Sequence, residues 1–263
     1  MALDPREIYE LLLLVLGVSA VVIFISLQFF VTAAYGRHDD GERAWWWGPG
    51  IPTRWSWVLM EFPASLGFAL FFFLGERSLD ITPLILFGMW QAHYFHRSFI
   101  YPFQRRTKPG GTTPLLIPLS GMLTNLGIAF VNASILTWIS IRADYDLAWL
   151  TDPRFILGAI VFASGFYINR KADSILANLR KPGETGYRIP RGWLYEKISC
   201  PNYFGELLIW TGWAIATWSL AGVAFLLITA ANLVPRAFSN HAWYLRKFDD
   251  YPSNRKAIFP GLI

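Results

Sequence analysis

Only one cysteine, Cys200, occurs in the 263 residues. That excludes an intrachain disulfide and any cysteine-rich metal cluster. Charge is also scarce: Asp, Glu, Lys and Arg make up 16% of the chain, against about 25% in a soluble domain. No Gly-x-Gly-x-x-Gly follows a stretch that reads as a strand, so a Rossmann cofactor domain is unsupported. The four histidines form no zinc spacing, His93 and His96 being only a weak pair, and no metal site is expected. Internal repeats and low-complexity linkers are missing too, so 1–263 reads as one domain. The N-terminal MALDPREIYE lacks the basic region and cleavage pattern of a secretory signal, and the first apolar segment is expected to stay.

What fills the chain instead is apolar and aromatic: 54% hydrophobic residues, with 21 Phe and 13 Trp. Several runs approach or exceed the roughly 20 residues that span a bilayer. The reading is an all-alpha polytopic membrane protein with spans near Leu11–Ala34, Trp57–Leu74, Ile81–Ile100, Pro114–Ile139 and Phe155–Leu179. Tyr203–Phe238 is too long for one crossing, about 54 Å as a single helix, and splits best near Ser219–Gly222. This predicts a seven-helix bundle. Of the 23 Lys and Arg, only Arg6, Arg77, Arg142 and Arg154 lie on the side of the N-terminus, leaving 19 opposite. The positive-inside rule then places the N-terminus outside and the C-terminus in the cytoplasm. The net charge of +5 is thus a topology signal, and no nucleic-acid partner is expected. Membrane lipid is the surrounding partner, in a bacterial inner membrane or the endoplasmic reticulum, with the protein acting as a monomer.

Chemistry concentrates in Gly88–Tyr101, GMWQAHYFHRSFIY. An interfacial belt explains Arg97 and Tyr101; it explains Gln91, His93, Tyr94 and His96 together less well. Glu61 sits about a turn into an apolar span, where a carboxyl is paired, solvated or kept protonated by apolar surroundings. Glu61 and Tyr94 converging on one oxygen would make an oxyanion-type site. Asn169 with Asp173, and Asn202 with Glu206, share helix faces at four-residue spacing. With Arg97, Arg170, Arg180, Arg188 and other basic residues, they form a set suited to a ribose, a carboxamide and phosphates. The C-terminal stretch with Tyr244, Arg246, Asp250 and Tyr251 reads equally as a cover for that site or as an interfacial helix.

A colinear series of motifs resembles the steroid 5-alpha-reductase family. It comprises Glu61 with Pro63, HYFHRSFIYP at His93–Pro102, Asn169 with Asp173, LRKPGETGYRIPRG at Leu179–Gly192, PNYFGE at Pro201–Glu206, and DYPSNRKAIFP at Asp250–Pro260. The resemblance implies a seven-helix membrane reductase that uses NADPH to reduce the C4–C5 double bond of 3-oxo-4-ene steroids such as testosterone or progesterone. It assigns contact with the 3-keto oxygen to Glu61 and Tyr94. It assigns the cofactor to Tyr35, Gly36, His38, Arg97, Asn169, Asp173, Arg180, Tyr187, Arg188, Asn202, Glu206, Arg236 and Tyr244. The chain departs from the pattern at Gln104–Lys108 and at Ser239–His241, so the resemblance assigns no arginine or histidine cofactor contact there. Alternatives are a related reductase of a polyprenal or enoyl thioester, a membrane methyltransferase, and a sterol-binding protein.

Overall fold

The computed structural model describes residues 4–30, 47–105, 107, 110–140, 142–180, 184 and 186–262. Helix α1 (Pro5–Ile25) starts on a capping box in which Asp4 accepts from the Arg6 amide and Glu7 closes back on the Asp4 amide. Such a box satisfies amide groups that an N-terminus otherwise leaves open. Only Tyr9, Leu16 and Ala20 of α1 are buried, while Leu11, Leu14, Val18 and Val21 are exposed. An outward face made of aliphatic side chains suits lipid, not water.

Two of the expected spans are helices with a wide turn inside them. Helix α2 (Thr53–Phe62) widens at Pro63–Gly67 and continues as α3 (Phe68–Phe73). Helix α4 (Ile81–Phe95) widens at His96–Ile100 and continues as α5 (Tyr101–Gln104). Proline supplies no amide for the ordinary helical bond, and both wide turns adjoin one, Pro63 and Pro102. Helix α6 (Leu116–Ser134) ends in a similar turn, Ile135–Ile139.

Helix α7 (Pro153–Asn178) is capped by Asp152 and packs against α8 (Pro201–Thr217). The break expected near Ser219–Gly222 is present. Trp218 takes a left-handed conformation, φ 47°, and Ser219 caps α9 (Leu220–Lys247) by accepting from the Gly222 amide. Helix α9 runs well past Phe238, because the expectation stopped at the last apolar residue while the polar continuation stays helical.

The all-helical expectation misses one small feature. Strands β1 (Gly50–Pro52) and β2 (Thr112–Pro114) pair antiparallel and tie the entries of α2 and α6 together. Proline-ended strands of three residues leave no alternation to read.

Four helical segments are long and apolar enough to cross a membrane: Pro5–Phe30, Thr53–Phe73, Leu116–Ile139 and Leu220–Lys247. The chain is an integral membrane protein. Its interior is largely aromatic: Phe68 stacks on Trp90 at 4.4 Å, Trp90 meets Trp213 at 5.0 Å, and Trp210 lies 4.1 Å from Phe225. Asn132 relieves the polar edge of that core by accepting from the Trp213 indole at 2.8 Å.

Helices α7 and α8 touch backbone to backbone. A Cβ placed on Gly205 would lie 2.5 Å from the Asn169 nitrogen, and one on Gly165 would lie 2.5 Å from the Ile209 nitrogen. Gly158 and Gly212 repeat the pattern toward the other end of the pair, against Ala216 and Phe162.

Beyond Lys247 the chain is not an interfacial helix. It folds back, with Lys256 bridging Ile198 in parallel and Ala257 accepting from the Cys200 amide at 3.1 Å. Arg255 is fully buried there, its guanidinium 5.1 Å from the Tyr251 ring and 3.5 Å from Glu196. The Gly192 amide, with Arg255 and Arg191 nearby, holds the Glu196 carboxyl below the usual carboxylate range.

Candidate active site

Glu61 ends the first part of the bulged α2–α3 rod, and the wide turn after it changes what its neighbours bond. Four backbone carbonyls around the turn accept side-chain donors from other helices. Asn125 on α6 donates to Met60 O at 2.8 Å, Ser98 to Glu61 O at 2.9 Å, Trp90 to Ala64 O at 2.6 Å and Gln91 to Ser65 O at 2.9 Å. Buried carbonyls released from a helix need such partners. The result is a rigid mount for the carboxyl.

The carboxyl itself is buried, with 10% of its side chain accessible. Arg97 Nε lies 3.6 Å from Glu61 Oε1, and the Asn125 amide lies 3.4 Å from Oε2. Of the alternatives open to a carboxyl in an apolar span, the structure gives Glu61 partners, a cation and an amide, which its own helix does not announce. The reason is that both arrive from other helices, α6 and the turn after α4, which the local sequence of α2 cannot display.

Arg97 occupies the centre. Its guanidinium lies over Trp57 at 5.2 Å and over Tyr101 at 4.8 Å, and it reaches Asp173 at 3.9 Å. Planar guanidinium groups favour such aromatic faces. Asp173 in turn accepts from Asn202 at 3.1 Å. Asn169 donates to Asn202 O at 3.0 Å and to Glu206 at 2.9 Å. Glu206 accepts from the Trp210 indole at 3.1 Å, and His93 Nε2 sits 3.1 Å away but off the hydrogen-bond axis. Thus α7 and α8 bring the two polar pairs into one network, and Arg97 joins it to Glu61.

Tyr94 lies on the apolar side of this network. Its ring packs at 5.0 Å from Trp90 and 5.4 Å from Trp210, and its hydroxyl has no hydrogen-bond partner among the described residues. Glu61, Glu206 and Arg97 are the charged groups that act on it. A phenol in that position has a proton to offer to an incoming oxygen.

The remaining expected residues fall into a second zone. Arg180 donates to Gly186 O at 3.0 Å, and Arg188 pairs with Glu184 at 2.9 Å, so both engage their own loop. Tyr187 packs edge-on to Trp243 at 4.9 Å, and Tyr244 stacks on Tyr251 at 5.1 Å. Arg236 faces Tyr203 at 6.0 Å. Tyr35, Gly36 and His38 lie outside the described residues. Asp250 meets Arg191 at 3.7 Å on the surface. His96, set aside as a metal candidate, is held between Arg170 at 2.6 Å and Gln104 at 3.3 Å.

Sequence reasoning missed Trp57, Tyr101, Asn125 and Trp210 as parts of the site. Trp57 had a usable signal, lying four residues before Glu61 and hence on its helix face. Asn125 had one as well, an amide in the middle of an apolar span.

Comparison with known proteins bears on this arrangement. The family model described as 3-oxo-5-alpha-steroid 4-dehydrogenase matches residues 115–263. Steroid 5-alpha-reductase DET2 of Gossypium hirsutum is 39% identical over 262 residues, covering 98% of each chain. The 3-oxo-5-alpha-steroid 4-dehydrogenase 1 of Homo sapiens is 42% identical over 234 residues, 88% of this chain and 86% of the human one. The mouse protein of that name is 38% identical over 271 residues, covering all of both chains. Matched by the family model over more than half its length and by relatives over nearly all of it, the chain belongs to the 3-oxo-5-alpha-steroid 4-dehydrogenase family.

Proposed function

We propose that the protein reduces the C4–C5 double bond of 3-oxo-4-ene steroids, with NADPH as reductant. The observation that carries this reading is the continuous contact of Glu61 and Arg97 with the Asp173–Asn202–Asn169–Glu206 network. One arm of that network suits a substrate carbonyl and the other a dinucleotide. The donor set fits the cofactor: amides and carboxylates match ribose hydroxyls and a carboxamide, and Arg97, Arg105 and Arg170 supply charge for phosphates. Bound NADPH would supply a hydride to C5. As electron density moves to the 3-keto oxygen, Tyr94 and the acid form of Glu61 would donate hydrogen bonds to it and stabilise the enolate, and a proton taken up at C4 as the ketone re-forms completes the reduction. Asn125 and Arg97 hold the Glu61 carboxyl from its two sides, and the aromatic wall of Trp90 and Trp210 keeps water from Tyr94.

Topology supports the same reading. Helices α4, α7 and α8 complete seven crossings; α4 and α8 are short and α7 is diluted by polar residues, as helices lining a site within a bundle would be. With 19 of 23 basic residues on one side, the N-terminus lies outside and the cofactor arm faces the cytoplasm.

Purified protein mixed with NADPH and testosterone or progesterone is expected to lose the cofactor's reduced absorbance and yield the 5-alpha product, identified by mass spectrometry and chromatography. Binding of the steroid without cofactor oxidation would refute a reductase. Turnover of a polyprenal or enoyl thioester in place of steroids would move the substrate class and keep the reaction.

Arg97→Lys separates charge from shape. Lysine keeps the cation but lacks the plane that lies against Trp57 and Tyr101 and spans Glu61 and Asp173. Turnover is expected to fall about 100-fold, the effect of misplacing reacting groups by roughly 1 Å. A variant with native kinetics would show that the aromatic and carboxylate contacts of Arg97 are not used.

A further inference from the structure

We infer that Asn125 is a positioning residue for the Glu61 carboxyl. The inference rests on the reading of Glu61 as the group facing the substrate carbonyl. Asn125 sits on α6, which carries none of the family-assigned residues. Its amide nitrogen has two protons and two acceptors: Met60 O at 2.8 Å and Glu61 Oε2 at 3.4 Å. The shorter bond anchors the amide to the backbone just before Glu61, so the second proton points along the side chain that follows. Because the other carboxyl oxygen faces Arg97 at 3.6 Å, the two neighbours act on opposite oxygens and fix the rotation of the carboxyl plane. Without Asn125, Arg97 alone would hold it from one side, and the carboxyl would be free to turn toward the guanidinium and away from the substrate.

Asparagine in the lipid-crossing part of a helix is costly unless bonded. Asn125 is half-buried and neighbours Gly121, a glycine whose Cβ would meet Met60 Cγ at 2.4 Å. The close approach of α6 to α2 at Gly121 is what brings the amide within reach of both acceptors.

Asn125→Leu keeps the volume and removes both donors. Turnover of testosterone is expected to fall about tenfold, as for other groups that orient a reacting side chain, with NADPH affinity unchanged. A merely structural role would predict a loss independent of Glu61, so the variant is combined with Glu61→Gln. In single-turnover measurements Asn125→Leu should add nothing in that background. Difference infrared spectroscopy of testosterone bound with oxidised cofactor gives a second readout. The carbonyl stretch, lowered by donation in the native protein, should return toward its free value in Asn125→Leu.

Should Asn125→Leu fail to accumulate in the membrane, Asn125→Ala serves in its place, since it removes both donors without adding bulk. Native turnover in either variant, an equal loss in both backgrounds, or an unmoved carbonyl stretch would overturn the inference. If Glu61→Gln alone leaves turnover and stretch unchanged, the underlying reading of Glu61 fails, and the role of Asn125 falls with it.

Discussion

Glu61→Gln should lower kcat by about 1000-fold, the upper range for removing one donor from an oxyanion-type site, and should leave NADPH affinity intact. That factor corresponds to about 4 kcal/mol of lost transition-state stabilisation. The substitution is close to isosteric, so the mount made by Asn125, Ser98, Trp90 and Gln91 stays in place. What changes is the ability to give a proton at the enolate oxygen. Because the carboxyl is 10% accessible, water has little room to substitute for it. Stopped-flow measurement of cofactor oxidation, with cofactor binding followed by fluorescence, separates the two effects. Native kcat in the Gln variant would end the assignment.

Gly205→Leu is expected to destroy a backbone-to-backbone contact between α7 and α8 and with it the polar network. A Cβ at Gly205 would lie 2.5 Å from the Asn169 nitrogen and 2.8 Å from Gly165 O. Those are backbone atoms of a neighbouring helix, and no rotamer change can move them aside. Overpacking a tight contact costs about 1–3 kcal/mol, and here the helices must separate, so the loss should be about 3 kcal/mol. The pair Asn169 and Asp173 would move away from Asn202 and Glu206, and cofactor affinity should fall together with thermal stability. Gly88→Leu is the control, since a Cβ there meets nothing within 4 Å. Equal melting behaviour of the two variants in detergent would show that the helix pair does not depend on its glycines.

Much of this site was legible in the chain because it is built on local spacing. Asn169 with Asp173 and Asn202 with Glu206 lie at helical intervals, and the pairing of α7 with α8 was all that remained to bring them together. The break at Trp218–Ser219 was legible from length alone. The surroundings of Glu61 were not. Arg97 comes from the turn after α4 and Asn125 from α6, sixty-four residues away along the chain. Which face of one apolar helix meets which face of another is set by packing, and apolar faces carry little address. The extension of α9 beyond Phe238 and the folded-back tail were missed for a related reason: hydropathy marks where lipid ends, not where a helix does.

The wide turns carry one further consequence. Each inserts the equivalent of an extra residue into a helix, and an α-helix advances by about 100° per residue. Deleting a single residue from Pro63–Gly67 would restore a regular helix and rotate everything after it. Phe68, now stacked on Trp90 at 4.4 Å, and Phe72, packed at a tilt against Phe87 at 4.8 Å, would swing round toward lipid, while Glu61 stayed where it is. The same arithmetic at His96–Ile100 would carry Tyr101 out from beneath Arg97. The rods on either side of the site therefore behave as phased parts, in which letters can be exchanged one for another but the count between Glu61 and Phe68, or between Tyr94 and Tyr101, is fixed.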